Sequence, residues 1–340
     1  MIDFSSDTQT RPTGAMRSAM AAAEVGDEQK GEDPTVTALC ERVASLLGFE
    51  AAVFLPSGTM CNEIAFGLHC RPGDEAYLHR RSHPIVAEGG GPAALWGTMM
   101  HPFDGPRGMF TAAELAAALR DPGDRYSPCS RLACVEQTTN LAGGHVWPME
   151  QLRAVVDVAR EAQLALHMDG ARLMNAVVAS GVPAAEWTRG FDTAWVDFSK
   201  GLGAPVGACL AGSDELIREA WRLKQRMGGA MRQAGIVAAG ALHALEHHVD
   251  RLADDHSLAR SLAVGLAEID GVTLDPDAVE TNIVVFEVDD APEFCAALLD
   301  HGVRMGALGP RTVRAVTHLD VDADGARTAI TAASRALLVG

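Results

Sequence analysis

Lysine is almost missing from this chain. Of its 28 basic residues only Lys30, Lys200 and Lys224 are lysines, and arginine supplies the other 25. A GC-rich genome favours arginine for reasons unrelated to function, so the scarcity directs attention to these three without assigning them a task. Uninterrupted apolar sequence is also missing. No run of 18 uncharged apolar residues occurs, which argues against a transmembrane helix. The first residues, Met1-Ile2-Asp3-Phe4-Ser5-Ser6-Asp7-Thr8, contain no apolar core of the kind a signal peptide carries, so none is expected. Cysteine is present but without pattern. There are seven, an odd number, with no Cys-x-x-Cys, and most lie in apolar segments such as Ala208-Cys209-Leu210. Buried free thiols in a reducing, cytoplasmic setting are expected, not a disulfide framework or a metal cluster.

Positive charge is in deficit. The formal net charge of −17 argues against nucleic acid or an anionic membrane as the main partner, because both reward clustered Lys and Arg. It leaves room for a small anionic ligand held by a few local arginines. What remains is ordinary for a globular chain: 48% hydrophobic and 21% charged over 340 residues. That length suits one large α/β domain and one smaller domain.

Short apolar runs alternate with amphipathic ones. Strands are expected at 51–55, 75–78, 132–136, 164–168, 193–198 and 206–210, with helices near 35–47, 111–119, 149–161 and 171–179. Such alternation predicts a mostly parallel central sheet with helices on both faces, and ligands at the carboxyl ends of its strands. Beyond residue 213 long helical patterns at 214–227 and 233–252 take over and lead into another through 269. A strand (282–288), a helix (292–301), a strand (313–316) and a last helix from Asp322 follow. The expected division is a large cofactor-binding domain, 1–249, and a small α+β C-terminal domain, 250–340.

Several residues stand where chemistry is possible. Lys200 ends Trp195-Val196-Asp197-Phe198-Ser199-Lys200 and precedes Gly201-Leu202-Gly203. A lysine at a strand end, with glycines that let a ligand approach, can form a Schiff base with an aldehyde cofactor; it can equally be a surface lysine. Asp169, followed by Gly170-Ala171-Arg172, suits either the partner of a pyridinium nitrogen or the cap of the next helix. Ser57-Gly58-Thr59 opens a helix after a strand and offers free N–H groups and a hydroxyl to a phosphate, or forms an ordinary turn. No Gly-Lys-Ser/Thr follows, so it is not a P-loop, and the glycines at 201–207 lack the spacing of a dinucleotide loop. His83 suits ring stacking or proton movement, or a surface cap. Arg172 and Arg314 suit a substrate carboxylate or structural ion pairs. His243-Ala244-Leu245-Glu246-His247 matches an inverted zinc-protease pattern. No distal glutamate is placed to complete that site and His248 reads as a solvated surface, so no metal is assigned.

Taken together the segments resemble the L-threonine aldolase family, a branch of the aspartate-aminotransferase-like (fold type I) pyridoxal 5′-phosphate enzymes. The resemblance spans essentially the whole chain. It rests on Ser6-Asp7-Thr8, Gly31-Glu32-Asp33-Pro34-Thr35, Pro56-Ser57-Gly58-Thr59, His167-Met168-Asp169-Gly170-Ala171-Arg172, Ser199-Lys200-Gly201-Leu202-Gly203-Ala204-Pro205, Gly228-Gly229-Ala230-Met231-Arg232-Gln233 and Val316-Thr317-His318-Leu319-Asp320. It implies cleavage of L-threonine, L-allo-threonine or a related β-hydroxy-α-amino acid to glycine and an aldehyde. In that scheme Lys200 carries the cofactor, Asp169 pairs its ring nitrogen, and His83 stacks on the ring and serves the substrate hydroxyl. Ser57, Gly58 and Thr59 hold the phosphate, with Arg172 also near the cofactor and Arg232 arriving from a neighbouring subunit. Ser6, Arg172 and Arg314 hold the substrate carboxylate. The family is typically a homotetramer with sites at subunit interfaces.

The chain departs from the family at Lys30 and Tyr126, both on the substrate side, at Thr139 in Glu136-Gln137-Thr138-Thr139-Asn140, and at Gln225, for which Lys224 or Arg226 can compensate. A β-eliminating lyase or an aminotransferase would share the sheet, Lys200 and Asp169, as would a cofactor-binding protein without catalysis. Only products distinguish them.

Overall fold

Apolar runs bounded by glycine and proline turns become strands, and here they assemble into one large sheet and two small ones. The computed structural model describes residues 1–338. In chain order the strands are β1 (Ile2–Asp3), β2 (Ala51–Leu55), β3 (Glu75–His79), β4 (Met99–Phe103), β5 (Ser130–Glu136), β6 (Ala165–Asp169), β7 (Thr193–Asp197), β8 (Ala208–Gly212), β9 (Ile283–Glu287), β10 (Val303–Arg304), β11 (Gly306–Ala307) and β12 (Thr312–Val316). Seven of them form the central sheet in the order β2-β8-β7-β6-β5-β3-β4. The pairs β4/β3, β3/β5, β5/β6 and β6/β7 are parallel, and β8 runs antiparallel to both β7 and β2. The sheet is thus mostly parallel, as the alternation implies, and helices cover both faces. β3, β7 and β8 are buried at every position, so their central residues are apolar with no alternation, and β3 and β7 bury polar groups only at their ends, Glu75, His79, Thr193 and Asp197.

Because β8 alone runs backwards, the carboxyl ends of β2, β3, β5, β6 and β7 share one edge. That edge carries Ser57, His83, Glu136, Asp169 and Lys200. The main core packs beneath it, with Phe54, Tyr77, Val135, Leu166, Val196 and Phe198 among its residues.

β4 is not among the expected strands: it contains Pro102, which removes a ladder donor. The strand forms nevertheless because it is the sheet edge, paired on one side to β3. The helix expected over 233–252 and the one expected after it through 269 are Gly235–His247 and Leu252–Ala267, the first ending five residues early. Where they meet, His248 turns inward rather than to solvent. It is buried and its Nδ1 lies 2.7 Å from the Leu202 carbonyl oxygen.

A second core gathers Leu262, Leu266, Phe286, Phe294, Leu298 and Ala329 around the β11-β12-β9 sheet. Phe4 belongs to this cluster and β1 pairs in parallel with β10, so the first residues of the chain pack with its last third. The N-terminal segment then crosses to the large sheet, where the Thr10 hydroxyl donates to the Lys200 carbonyl at 2.8 Å.

Candidate active site

Lys200 lies three residues beyond β7, in a turn that Asp197 builds. One oxygen of Asp197 accepts from the Ser199 N–H and from the Ser199 hydroxyl, both at 2.7 Å. The other lies 2.9 Å from Lys200 Nζ, whose side chain is 17% exposed. Trp195 stands 5.5 Å below the ammonium, ring centroid to Nζ. The amine stands beside a small cleft lined by Gly170, Ala171, Arg172, Asn175, Asp197 and Lys200.

Asp169, at the end of β6, is fully buried. Its Oδ1 accepts from Ala171 N at 3.1 Å, so it does hold the following turn. Its Oδ2 accepts from Asn62 Nδ2 at 2.8 Å. Asn62 is a hub on the helix Gly58–His69: its amide also donates to Glu88 Oε1, and its Oδ1 accepts from Trp195 Nε1 at 2.8 Å and faces His167 Nε2 at 3.1 Å. Burial and the neighbouring His69 hold His167 down to about 3, so the ring is neutral.

His83 begins a short helix after β3. Its Nδ1 lies 2.7 Å from Glu88 Oε1, and its backbone N–H donates to Glu136 Oε1 at 3.1 Å. The Glu88 bond raises the imidazole above its ordinary 6.5. Glu136, buried beside Asp169, is pushed up to about 7 and also accepts from Asn140 N. Asp169, Asn62, Glu88, His83 and Glu136 thus form one hydrogen-bonded chain along the strand ends.

The helix that follows β2 starts at Gly58. Its N-cap Ser57 accepts from Met60 N at 3.2 Å through its hydroxyl oxygen, which leaves the hydroxyl protons of Ser57 and Thr59 for a ligand. Gly58 is required here: a Cβ would sit 2.2 Å from Trp195 Cη2.

Arg172 and Arg314 behave differently. Arg172 is buried, and its Nε and one terminal nitrogen fork onto Asp7 at 2.8 and 2.6 Å. Burial would raise the Asp7 carboxyl, but Arg172, Lys200 and Asn282 hold it well below the usual range. Most of Arg172 is therefore spent on Asp7, a partner that sequence reading did not assign to it. Arg314 has only neutral acceptors, Asn140 Oδ1 at 2.8 Å and the Ser5 carbonyl at 3.1 Å. Its Nε is buried with no partner. Among the described residues no carboxylate lies within ion-pair distance of it, and burial lowers its proton affinity. Ser6 caps the turn at Asp7–Gln9, accepting from Thr8 N at 3.1 Å, one residue along from the Ser5 carbonyl that meets Arg314.

Three expected residues are not brought to this cluster within the chain. Tyr126 precedes β5, on the opposite edge of the sheet, and is 93% exposed. Lys30 lies 3.9 Å from Asp27 with its side chain 65% exposed, and Arg232 reaches the same Asp27 at 2.9 Å. Lys224, considered a substitute for a missing cation at 225, is instead buried against Glu28 and the Phe54 carbonyl. Sequence reading missed Asn62, Asp197 and Asp7 as site residues. The available signal was polar residues inside otherwise apolar elements that end at this edge.

A half-buried amine, a buried carboxylate beyond it, and a helix N-terminus with free hydroxyl protons match the aldehyde, ring nitrogen and phosphate of pyridoxal phosphate. The donor set fits that cofactor.

Comparison with known proteins agrees. The model of the family described as beta-eliminating lyase matches residues 3–289. A probable low-specificity L-threonine aldolase 2 from Arabidopsis thaliana is 41% identical over 336 residues, covering 95% of this chain and 94% of that one. The low specificity L-threonine aldolase of Escherichia coli (strain K12) is 41% identical over 323 residues, covering 94% and 95%. Among solved structures a threonine aldolase from Leishmania major matches 100% of both chains, with a TM-score of 0.84 at 21% identity. A serine palmitoyltransferase from Sphingomonas wittichii matches 99% of this chain and 87% of its own, with a TM-score of 0.78 at 16% identity. Likeness at such identities speaks to the fold, which is that of the fold type I pyridoxal-phosphate enzymes. With a family model over most of its length and relatives at 41% identity over nearly all of it, the chain belongs to the low-specificity L-threonine aldolase family.

Proposed function

We propose that this chain cleaves L-threonine, L-allo-threonine or a related β-hydroxy-α-amino acid to glycine and an aldehyde at the Lys200 cleft. The observation that carries the reading is the His83–Glu88 pair, a proton acceptor held by a buried carboxylate on the same edge as Lys200. Neither elimination of a good leaving group nor transamination needs a base for a β-hydroxyl, and the curated relatives at 41% identity bear aldolase names.

Lys200 supplies the amine that holds pyridoxal phosphate, Asp169 pairs the ring nitrogen, and Gly58 and Thr59 with Ser57 form the phosphate end. The bound cofactor supplies an electron sink for the pair left when the Cα–Cβ bond breaks. Arg314 takes the substrate carboxylate, because it is a half-buried cation, its Nε fully buried, that still lacks an anion. Ser6 and the remaining terminal nitrogen of Arg172 complete that end. His83 gives its Nδ1 proton to the bond with Glu88, which leaves Nε2 as acceptor for the β-hydroxyl proton. Asp197 would hold the Lys200 amine in place when it is not bonded to the cofactor, as the 2.9 Å contact between them allows.

Arg232, Lys30 and Tyr126 are exposed and away from their own site, which supports their serving a site of another copy. A homotetramer in the cytoplasm is our reading of the assembly. It agrees with free cysteines, none of them bridged, and with the finding that no described helix is long and apolar enough to cross a membrane.

The test is His83→Asn. We expect kcat to fall about 100-fold with KM little changed, the scale of a lost general base. Because Glu88 raises His83, the acid limb of the wild-type kcat/KM profile should lie above the ordinary imidazole value of 6.5. An unchanged kcat in the variant removes His83 from the mechanism.

A further inference from the structure

Behind His83 lies a second carboxyl that the scheme above leaves idle. Glu63, one residue after Asn62 on the helix Gly58–His69, is buried within hydrogen-bond reach of Glu88. Both its oxygens lack any hydrogen-bond partner, and so does Glu88 Oε2. The Glu88 side chain has no exposure at all. Gly91 makes the space: a Cβ there would sit 1.8 Å from Glu63 Oε1.

The groups around the pair are all accounted for. His83 and Asn62 engage Glu88 Oε1, and Asp169 lies beyond Asn62. Glu136 holds the His83 backbone, and Lys200 acts on His83 across the cleft. The Trp96 indole N–H, which has no other partner among the described residues, faces Glu63 and opposes the upward push of burial and the Glu88 charge without cancelling it. Among the described residues no Lys or Arg lies within ion-pair distance of either carboxyl. Two buried carboxylates without a cation between them do not both ionise.

We propose that Glu63 and Glu88 share one proton. Glu63 is then a positioning residue: its carboxylic acid donates to Glu88 Oε2, so that Glu88 stays an anion with both oxygens satisfied. That anion fixes His83 Nδ1 as the donor and Nε2 as the acceptor for the substrate hydroxyl. The proton on the pair is not consumed, because His83 alone exchanges a proton with substrate. Burial and then the Glu88 charge push Glu63 up to about 8, and burial also raises Glu88 against its bonds from His83 and Asn62. The inference rests on the reading of His83 as the group serving the β-hydroxyl.

The sign of the linkage follows. Glu63 has a folded value above its ordinary 4.5, so its contribution to stability is complete below 4.5 and is lost as pH rises toward about 8. Glu63→Gln keeps a hydrogen-bond donor but has no proton to lose, whereas Glu63→Leu removes the donor. The holoenzymes of wild type, Glu63→Gln, Glu63→Leu and His83→Asn are compared by thermal melts and kinetics from about pH 5 to about pH 9. The Glu63→Gln melting temperature should gain on wild type through this window, by roughly 2–5 °C, and level off above about pH 8. Glu63→Gln should keep most of kcat and lose the alkaline step of the profile, while Glu63→Leu should lose about 10-fold in kcat with KM little changed. A melting difference that stays constant with pH overturns the shared proton. Wild-type kinetics in Glu63→Leu overturn its action through His83. Failure of the His83 reading itself shows separately, as full activity in His83→Asn.

Discussion

Lys200→Ala abolishes turnover, by about four to six orders of magnitude, and with it the visible absorbance of lysine-bound cofactor. The expectation is strong because the chain has no substitute. Lys30 lies on an exposed turn beside Asp27, and Lys224 is locked in the interior against Glu28 and Phe54. Neither can extend to the carboxyl end of β7. The protein should still fold, since among the described residues the Lys200 side chain touches only Asp197 and the face of Trp195, its carbonyl keeps Thr10 in the variant, and Asp197 already holds its turn through Ser199. A far-ultraviolet spectrum like that of wild type, with no glycine produced, is the expected pairing. A variant that kept wild-type turnover would show that the amine at 200 is not the one that holds the cofactor.

Arg314→Leu lowers kcat/KM by about 1,000-fold, the equivalent of about 4 kcal/mol, mostly through KM. Arg172, the other guanidinium nearby, is already neutralised by Asp7, whereas Arg314 keeps a buried Nε with no partner and only amide and carbonyl oxygens on its terminal nitrogens. A buried cation without an anion is costly to the free protein and attractive to a carboxylate. The melting temperature of the substrate-free variant should therefore hold or rise while affinity collapses, a trade of stability for function. A drop in melting temperature with unchanged KM would mark Arg314 as structural.

Much of this site can be read from the chain alone, and the parts that cannot have a common cause. Lys200 and Asp169 are legible because each ends an apolar run and precedes glycine, a local pattern. The mostly parallel sheet is legible because short apolar runs alternate with amphipathic helical ones along residues 51–212. Asn62, Glu63, Asp7 and Asp197 are not, since their partners lie far away in sequence or face in directions that only the packed fold sets. Asp7 meets Arg172 across 165 residues, and Asn62 meets Asp169 across 107. The commitment of Arg172 to Asp7 is invisible for the same reason, as is the inward turn of His248 toward Leu202. Pro102 misleads in β4 because the rule against proline applies to interior strands, and its status as an edge is a property of the sheet. Tyr126 and Lys30 look like site residues by resemblance, yet within the chain they occupy exposed ground away from Lys200.

The most direct measurement is product identity. Purified protein loaded with pyridoxal phosphate is given L-threonine, L-allo-threonine and L-phenylserine, and glycine is measured together with the aldehyde. The account predicts glycine and aldehyde in equal amounts from at least one of the three, with relative rates defining the β-substituent preferred. Ammonia and a keto acid in place of glycine, from any of them, would contradict it.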